Sequence, residues 1–106
     1  MIQLPEAIKA YIEASNAEDI DAIVACFTAD AEIKDDHKTY TGTDEITSWA
    51  ADTINKYHSR LTPTKLANTD PDVIVTAQVT GTFDGKAEME FTFSLENEKI
   101  ANLEIH

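Results

Sequence analysis

Residues 72–96 read DVIVTAQVTGTFDGKAEMEFTFSLE, and the period of this stretch decides the fold. The odd positions Val73, Val75, Ala77, Val79 and Phe83 are apolar, whereas Thr76, Gln78, Thr80 and Thr82 share the opposite parity with Ile74. Side chains alternate between the two faces of a strand, so this pattern predicts a strand with one buried face. Asp84-Gly85 supplies a hairpin turn that needs positive φ. The next strand keeps the parity, with Ala87, Met89, Phe91, Phe93 and Leu95 inward and Glu88, Glu90, Thr92, Ser94 and Glu96 outward. Asn97-Glu98 turns the chain again, and Ala101, Leu103 and Ile105 are expected on the inner face of a last strand. Thr64 to Asn68 is expected to form one more strand.

Working back toward the N-terminus, the period changes to that of helices. Leu4, Ala7, Ile8, Tyr11 and Ile12 recur at helical spacing, with Pro5 suited to a first turn that has no use for its missing N–H. This helix is expected to end near Asn16. A short second helix follows Asp19 as N-cap and carries Ile20, Ile23, Val24 and Phe27. Residues 31–34, AEIK, alternate as a strand that pairs briefly with Lys38 to Thr41 before Gly42. Thr43, Asp44 and Glu45 open a longer helix, since acids favour the positive end of the helix dipole. Its buried stripe is read as Ile46, Trp49, Ala50, Thr53, Ile54, Tyr57 and Leu61, with Arg60 at the far end. Helices followed by an antiparallel meander predict an α+β domain in which three N-terminal helices cover one face of a curved sheet.

The composition narrows the function. A chain of 106 residues with 42% hydrophobic content fits one domain, residues 1–106, able to bury roughly two-thirds of its unfolded surface. A net charge of -12 opposes nucleic acid and anionic membranes, because no basic stripe offsets the repulsion. Cys26 is the only cysteine, so no internal disulfide is expected, and no basic neighbour activates it as a thiol. The N-terminal MIQLPEAIKAY has neither a basic leader region nor a continuous apolar run, and a soluble cytoplasmic protein is expected.

The motif NAEDIDAIVACFTADAEI, residues 16–33, together with Y-x-G-x-D-x-I from Tyr40 to Ile46, resembles SnoaL-like members of the nuclear transport factor 2-like superfamily. Relatives there include ketosteroid isomerase, polyketide cyclases, scytalone dehydratase and limonene epoxide hydrolase. The resemblance covers nearly the whole chain and implies a cone-shaped α+β barrel with a deep apolar pocket between the helices and the concave sheet. Such a scaffold hosts unrelated chemistries, so it is specific for fold and weak for function.

The resemblance also implies site residues. In ketosteroid isomerases a first-helix tyrosine holds the substrate oxyanion and an aspartate at the end of the first strand moves the proton; the matching positions are Tyr11 and Asp35. An apolar pocket strengthens a carboxylate as a base, and a phenol aimed at a carbonyl oxygen stabilises developing charge. Those isomerases carry a second, neutral acid where this chain has Met89, which has no proton to give. Steroid isomerisation is therefore doubtful. Trp49, Met89, Phe91, His37 and Tyr40 are expected to line the pocket, with Trp49 either anchoring helix to sheet or offering a stacking platform. By parity His37 returns to the face of Asp35, where it could pair with it, or it is simply an exposed loop imidazole. No metal is expected, because Asp35, Asp36 and His37 are adjacent and adjacent residues rarely converge on one ion. No cofactor is expected either.

Two functions remain open from the sequence. One is an isomerase, cyclase or lyase in which Asp35 is the base and Tyr11 the oxyanion donor. The other is a non-catalytic protein that binds a hydrophobic ligand or serves as a structural homodimer. The neutral outward strip Thr76, Gln78, Thr80 and Thr82 is expected to form the dimer surface.

Overall fold

The computed structural model describes residues 4–69, 72–82 and 84–106. Three helices and six strands follow in the order α1 (Glu6–Asn16), α2 (Ile20–Ala25), β1 (Phe27–Asp35), β2 (Lys38–Thr41), α3 (Gly42–Tyr57), β3 (Arg60–Asn68), β4 (Asp72–Thr80), β5 (Ala87–Glu96) and β6 (Lys99–Ile105). The strands form one open sheet, β2-β1-β6-β5-β4-β3. Every neighbouring pair is antiparallel except β1 with β6. The helices pack on one face of this curved sheet, the α+β arrangement expected from the sequence. No helix among the described residues is long and apolar enough to cross a membrane.

The predicted alternation is realised on the inner face. Val73, Val75, Ala77, Val79, Phe91 and Phe93 are all buried. Across the sheet they fall into rows: Ile33, Leu103, Phe93 and Val73 make one, and Asp35, Ile105, Phe91 and Val75 make the next. Phe83, read onto this face, lies outside the described residues.

Several boundaries differ from the sequence reading, each for a local reason. α2 ends at Ala25, so Phe27 opens β1 instead of completing a helical stripe. α3 stops at Tyr57 because His58 adopts the left-handed conformation, with φ of 46°. Arg60 and Leu61 consequently belong to β3, and Leu61 is buried from a strand, not from the helix. In β6 a register shift leaves Ala101 unpaired between Ile100, opposite Leu95, and Asn102, opposite Ser94. The bulge leaves Leu103 and Ile105 on the inner face as read and offsets the residue before it, so Ile100 takes the buried place read for Ala101.

The caps show why the elements meet where they do. Asp19 accepts from the Ala22 N–H at 3.1 Å, as an N-cap does. The Thr41 N–H donates to Glu45 Oε1 at 2.7 Å, and Gly42, with φ of 84°, lets β2 pass straight into α3. Thr82 leaves β4 and reaches the other end of α3, its N–H donating to the Tyr57 carbonyl at 2.9 Å and its hydroxyl to that of Lys56 at 3.1 Å. It therefore belongs to a helix cap and is lost from the neutral outer strip.

Candidate functional site

The first strand hairpin places the acid. Asp36 and His37 have φ of 53° and 63°, the two positive values of a tight two-residue turn, and Asp35 pairs with Lys38 across its base. β1 therefore stays regular from Glu32 through Asp35, which keeps the inward parity of Ile33, while Asp36 and His37 sit exposed at the tip. The pairing of His37 with Asp35 allowed by simple alternation does not form, because the turn takes the imidazole out of the strand.

Asp35 meets α3 through Trp49. The indole Nε1–H donates to Asp35 Oδ2 at 3.0 Å, and the ring itself is buried. A buried tryptophan normally directs its N–H to an acceptor, and here the only carboxylate on the inner row supplies it. Tyr11 comes from α1. Its ring stands edge-on to Phe27 and Phe93, with centroids 5.9 and 5.7 Å away, so its position is set by packing against both rings. Burial, the charge of Asp35 and the nearby Cys26 thiol, in that order, push the Tyr11 phenol well above its ordinary value. The hydroxyl thus stays protonated wherever the protein functions near neutrality.

Tyr11, Asp35 and Trp49 face a common cavity of about 1290 Å³, which is open to solvent at one end. Met89 and Phe91 line it from β5, and the exposed Tyr57 lines it from the end of α3. Tyr40 is half-buried opposite Ile33 and also reaches the wall, as does the exposed His37 at the rim. All seven residues singled out in the sequence border this one space. Among the described residues no three His, Cys, Asp or Glu side chains converge as a metal site.

A family model for the SnoaL-like domain matches residues 8–103. The chain belongs to the SnoaL-like family. Among solved structures, a candidate polyketide cyclase from Sinorhizobium meliloti is 26% identical, with a TM-score of 0.92 over 97% of this chain and 95% of that one. A hypothetical protein of ketosteroid isomerase-like fold from Catenulispora acidiphila, in complex with trimethylamine, is 23% identical, with a TM-score of 0.88 over 98% and 86%. A further candidate polyketide cyclase, from Xanthomonas campestris, is 19% identical with a TM-score of 0.83 over 94% and 86%. No curated protein matches the chain.

Two features of this SnoaL-like domain escaped the sequence reading. One is the Trp49–Asp35 hydrogen bond. The signal for it was the coincidence of an inward acid with an indole on the helix stripe that covers the same strand, since each group needs a partner once half-buried. The other is Asn16, at the end of α1. Its Oδ1 accepts from the Leu61 N–H at 2.7 Å and its Nδ2 donates to the Leu61 carbonyl at 3.0 Å, tying α1 to the first turn of β3. With Leu61 assigned to a helix, that partnership was invisible.

Proposed function

We propose that this SnoaL-like domain is a cofactor-independent enzyme of the isomerase, cyclase or lyase type, acting on a small apolar carbonyl or hydroxyl compound. Asp35 removes a proton from carbon next to the carbonyl, and the Tyr11 hydroxyl donates to the oxygen as it gains negative charge. Returning the proton elsewhere would isomerise the substrate; attack by the carbanion within the same molecule would close a ring; expulsion of a hydroxyl would make the enzyme a lyase. The observation that carries this reading is a neutral phenol and a carboxylate facing one apolar cavity, with the carboxylate fixed by Trp49 through a single oxygen. Trp49 is on this view a positioning residue that leaves the second oxygen to the substrate.

Met89 limits the reaction. Loss of one oxyanion donor typically lowers the rate by ~10²–10³, so the chemistry proposed is one that a lone phenol can support, and steroid isomerisation is not it. The similarity to a candidate polyketide cyclase at 26% identity favours the ring-closing variant.

The test is exchange of the α-hydrogens of β-tetralone in D₂O, followed by proton NMR. Wild-type protein is expected to accelerate exchange over buffer, Asp35→Asn to lose that acceleration by ~10²-fold or more, and Tyr11→Phe to lose a smaller part. Equal exchange in wild type and Asp35→Asn would leave the second reading, a protein that binds an apolar ligand without chemistry.

Either form is proposed to pair as a homodimer through the outer sheet face, which carries Ile74, Thr76 and Gln78 of β4 in alternation with the buried Val73, Val75 and Ala77. Light scattering of wild type against Thr76→Glu checks this. A monomeric wild type would overturn it.

A further inference from the structure

Asp35 has an unbalanced charge. Its hydrogen-bond donor is the neutral indole of Trp49, and among the described residues neither ion pair involves it: those pairs are His58 with Glu18 and His106 with Glu104. The cations bordering the cavity, Lys34, Lys38 and Lys56, are exposed at its rim, and the Lys56 ammonium lies 5.2 Å over the Tyr57 ring. The other acids there, Asp36, Asp52 and Glu104, add to the negative field of a molecule whose net charge is -12. The walls around the carboxylate are aromatic, from Tyr11, Trp49 and Phe91. Aromatic faces attract cations, and a half-buried carboxylate without an ion-pair partner adds to that attraction.

We infer that the cavity selects molecules carrying a protonated amine on an apolar skeleton, with the ammonium seated against Asp35 and the skeleton against Trp49, Phe91 and Met89. This rests on the open small-molecule pocket of the proposed function. An anionic ligand would meet repulsion at depth, because Lys34 and Lys38, the cations next to Asp35 in the hairpin, are exposed at the rim and neither is ion-paired with it among the described residues. A neutral ketone or alcohol can enter but brings nothing to offset the carboxylate charge. At ~1290 Å³ the cavity exceeds the usual small-ligand range of roughly 300–1,000 Å³, so size excludes none of these classes and charge is left to discriminate. An amine bound in this way also covers the proposed base.

Three probes that share one skeleton test the inference: 2-aminotetralin, 2-tetralol and tetralin-2-carboxylate, titrated near neutral pH by calorimetry and by the NMR signal of the Trp49 indole N–H. The ammonium is expected to bind at least ~10-fold more tightly than the alcohol, and the carboxylate more weakly than both. In Asp35→Asn the ammonium and alcohol affinities should fall within about threefold of each other, whereas Asp52→Asn, at the rim, should keep the preference. Equal affinity of ammonium and alcohol for wild type, or a preference that survives Asp35→Asn, overturns the inference while leaving the pocket reading intact. Failure of all three probes to bind overturns both. The wild-type comparison decides the matter even if the Asp35 variant does not fold.

Discussion

The two ends of the inner sheet face are built alike in sequence and differently in space. On β5 the residues Phe93 and Phe91 are buried, whereas Met89 and Ala87, two and four positions further along the same face, remain partly exposed. The first pair lies in rows filled by Leu103, Ile105, Val73 and Val75 and, for Phe93, covered by Tyr11. The second pair faces the cavity, which the buried Phe91 also borders at the boundary between the two ends. One end is held by apolar packing and the other by polar ties: Asn16 to Leu61, Thr82 to the end of α3, and His58 to Glu18. A cone needs both, because an open mouth cannot be sealed by side chains without losing its contents.

The largest effect should follow from breaking the sealed end. Phe93 is fully buried, and Phe93→Ala should destabilise the fold by ~3–5 kcal/mol, through lost burial plus the hole left between Tyr11 and Phe91. Met89→Ala, on the same strand and face, should cost under ~1.5 kcal/mol, since its side chain already borders empty space. Chemical denaturation of the two variants measures the contrast directly. Similar losses would mean that the mouth is as well packed as the closed end.

That contrast also marks what could be read from the sequence. Parity identified every inward residue of β4 among those described, because alternation is local and a one-residue slip would bury the threonines. It could not tell Phe93 from Met89 in role, because closure depends on α1 crossing one row and not the other. A loop over Asp35, Asp36 and His37 was legible between two pairing strands, but not its tightness: positive φ at non-glycine residues leaves a weak signal in composition, although Asn97-Glu98 adopts a similar pair of values, 51° and 65°. Family resemblance brought Tyr11 and Asp35 to one site. It placed Trp49 at the pocket as well but not as the partner of Asp35, since that hydrogen bond depends on how α3 crosses β1.

The polar ties at the open end should yield intermediate effects. Asn16→Ala leaves the Leu61 N–H and carbonyl without their partner in a half-buried site, for which ~1–3 kcal/mol is expected. Asn16→Asp retains the acceptor for the N–H and should recover part of the loss. Urea titrations distinguish the two variants, and an Asn16→Ala protein as stable as wild type would show that water replaces both bonds.

Tyr11 lies at the junction of the two ends, and its altered proton affinity predicts an alkaline signature. The folded phenol holds its proton to higher pH than the unfolded one, whose value is near 10.0. Below that value both states are protonated and the linkage is silent. Above about pH 10 the unfolded chain loses a proton that the folded chain keeps, so stability should fall by ~1.4 kcal/mol per pH unit from this group alone. Tyr11→Phe should remove that slope while leaving stability near neutrality little changed. Thermal melts of both proteins through the alkaline range test it, and parallel curves would refute the assignment.

The smallest effect belongs to His58, where two opposing terms nearly cancel. Its Nδ1 lies 2.7 Å from Glu18 Oε2, but the side chains are 56% and 40% exposed, and pairs so open to water contribute at most ~1 kcal/mol. Against this stands the backbone: His58 ends α3 with φ of 46°, a conformation that glycine adopts without the steric penalty of a side chain. His58→Ala loses the pair and keeps the strain, whereas His58→Gly loses the pair and relieves it. The glycine variant should therefore be the more stable of the two by ~1 kcal/mol, and within ~0.5 kcal/mol of wild type. If alanine and glycine variants melt together, the strain at the helix end is negligible and the imidazole–carboxylate tie is what holds the end of α3 to the loop between α1 and α2. If glycine exceeds wild type, the tie contributes less than the backbone it distorts, and the geometry of the open end is set by the turn itself.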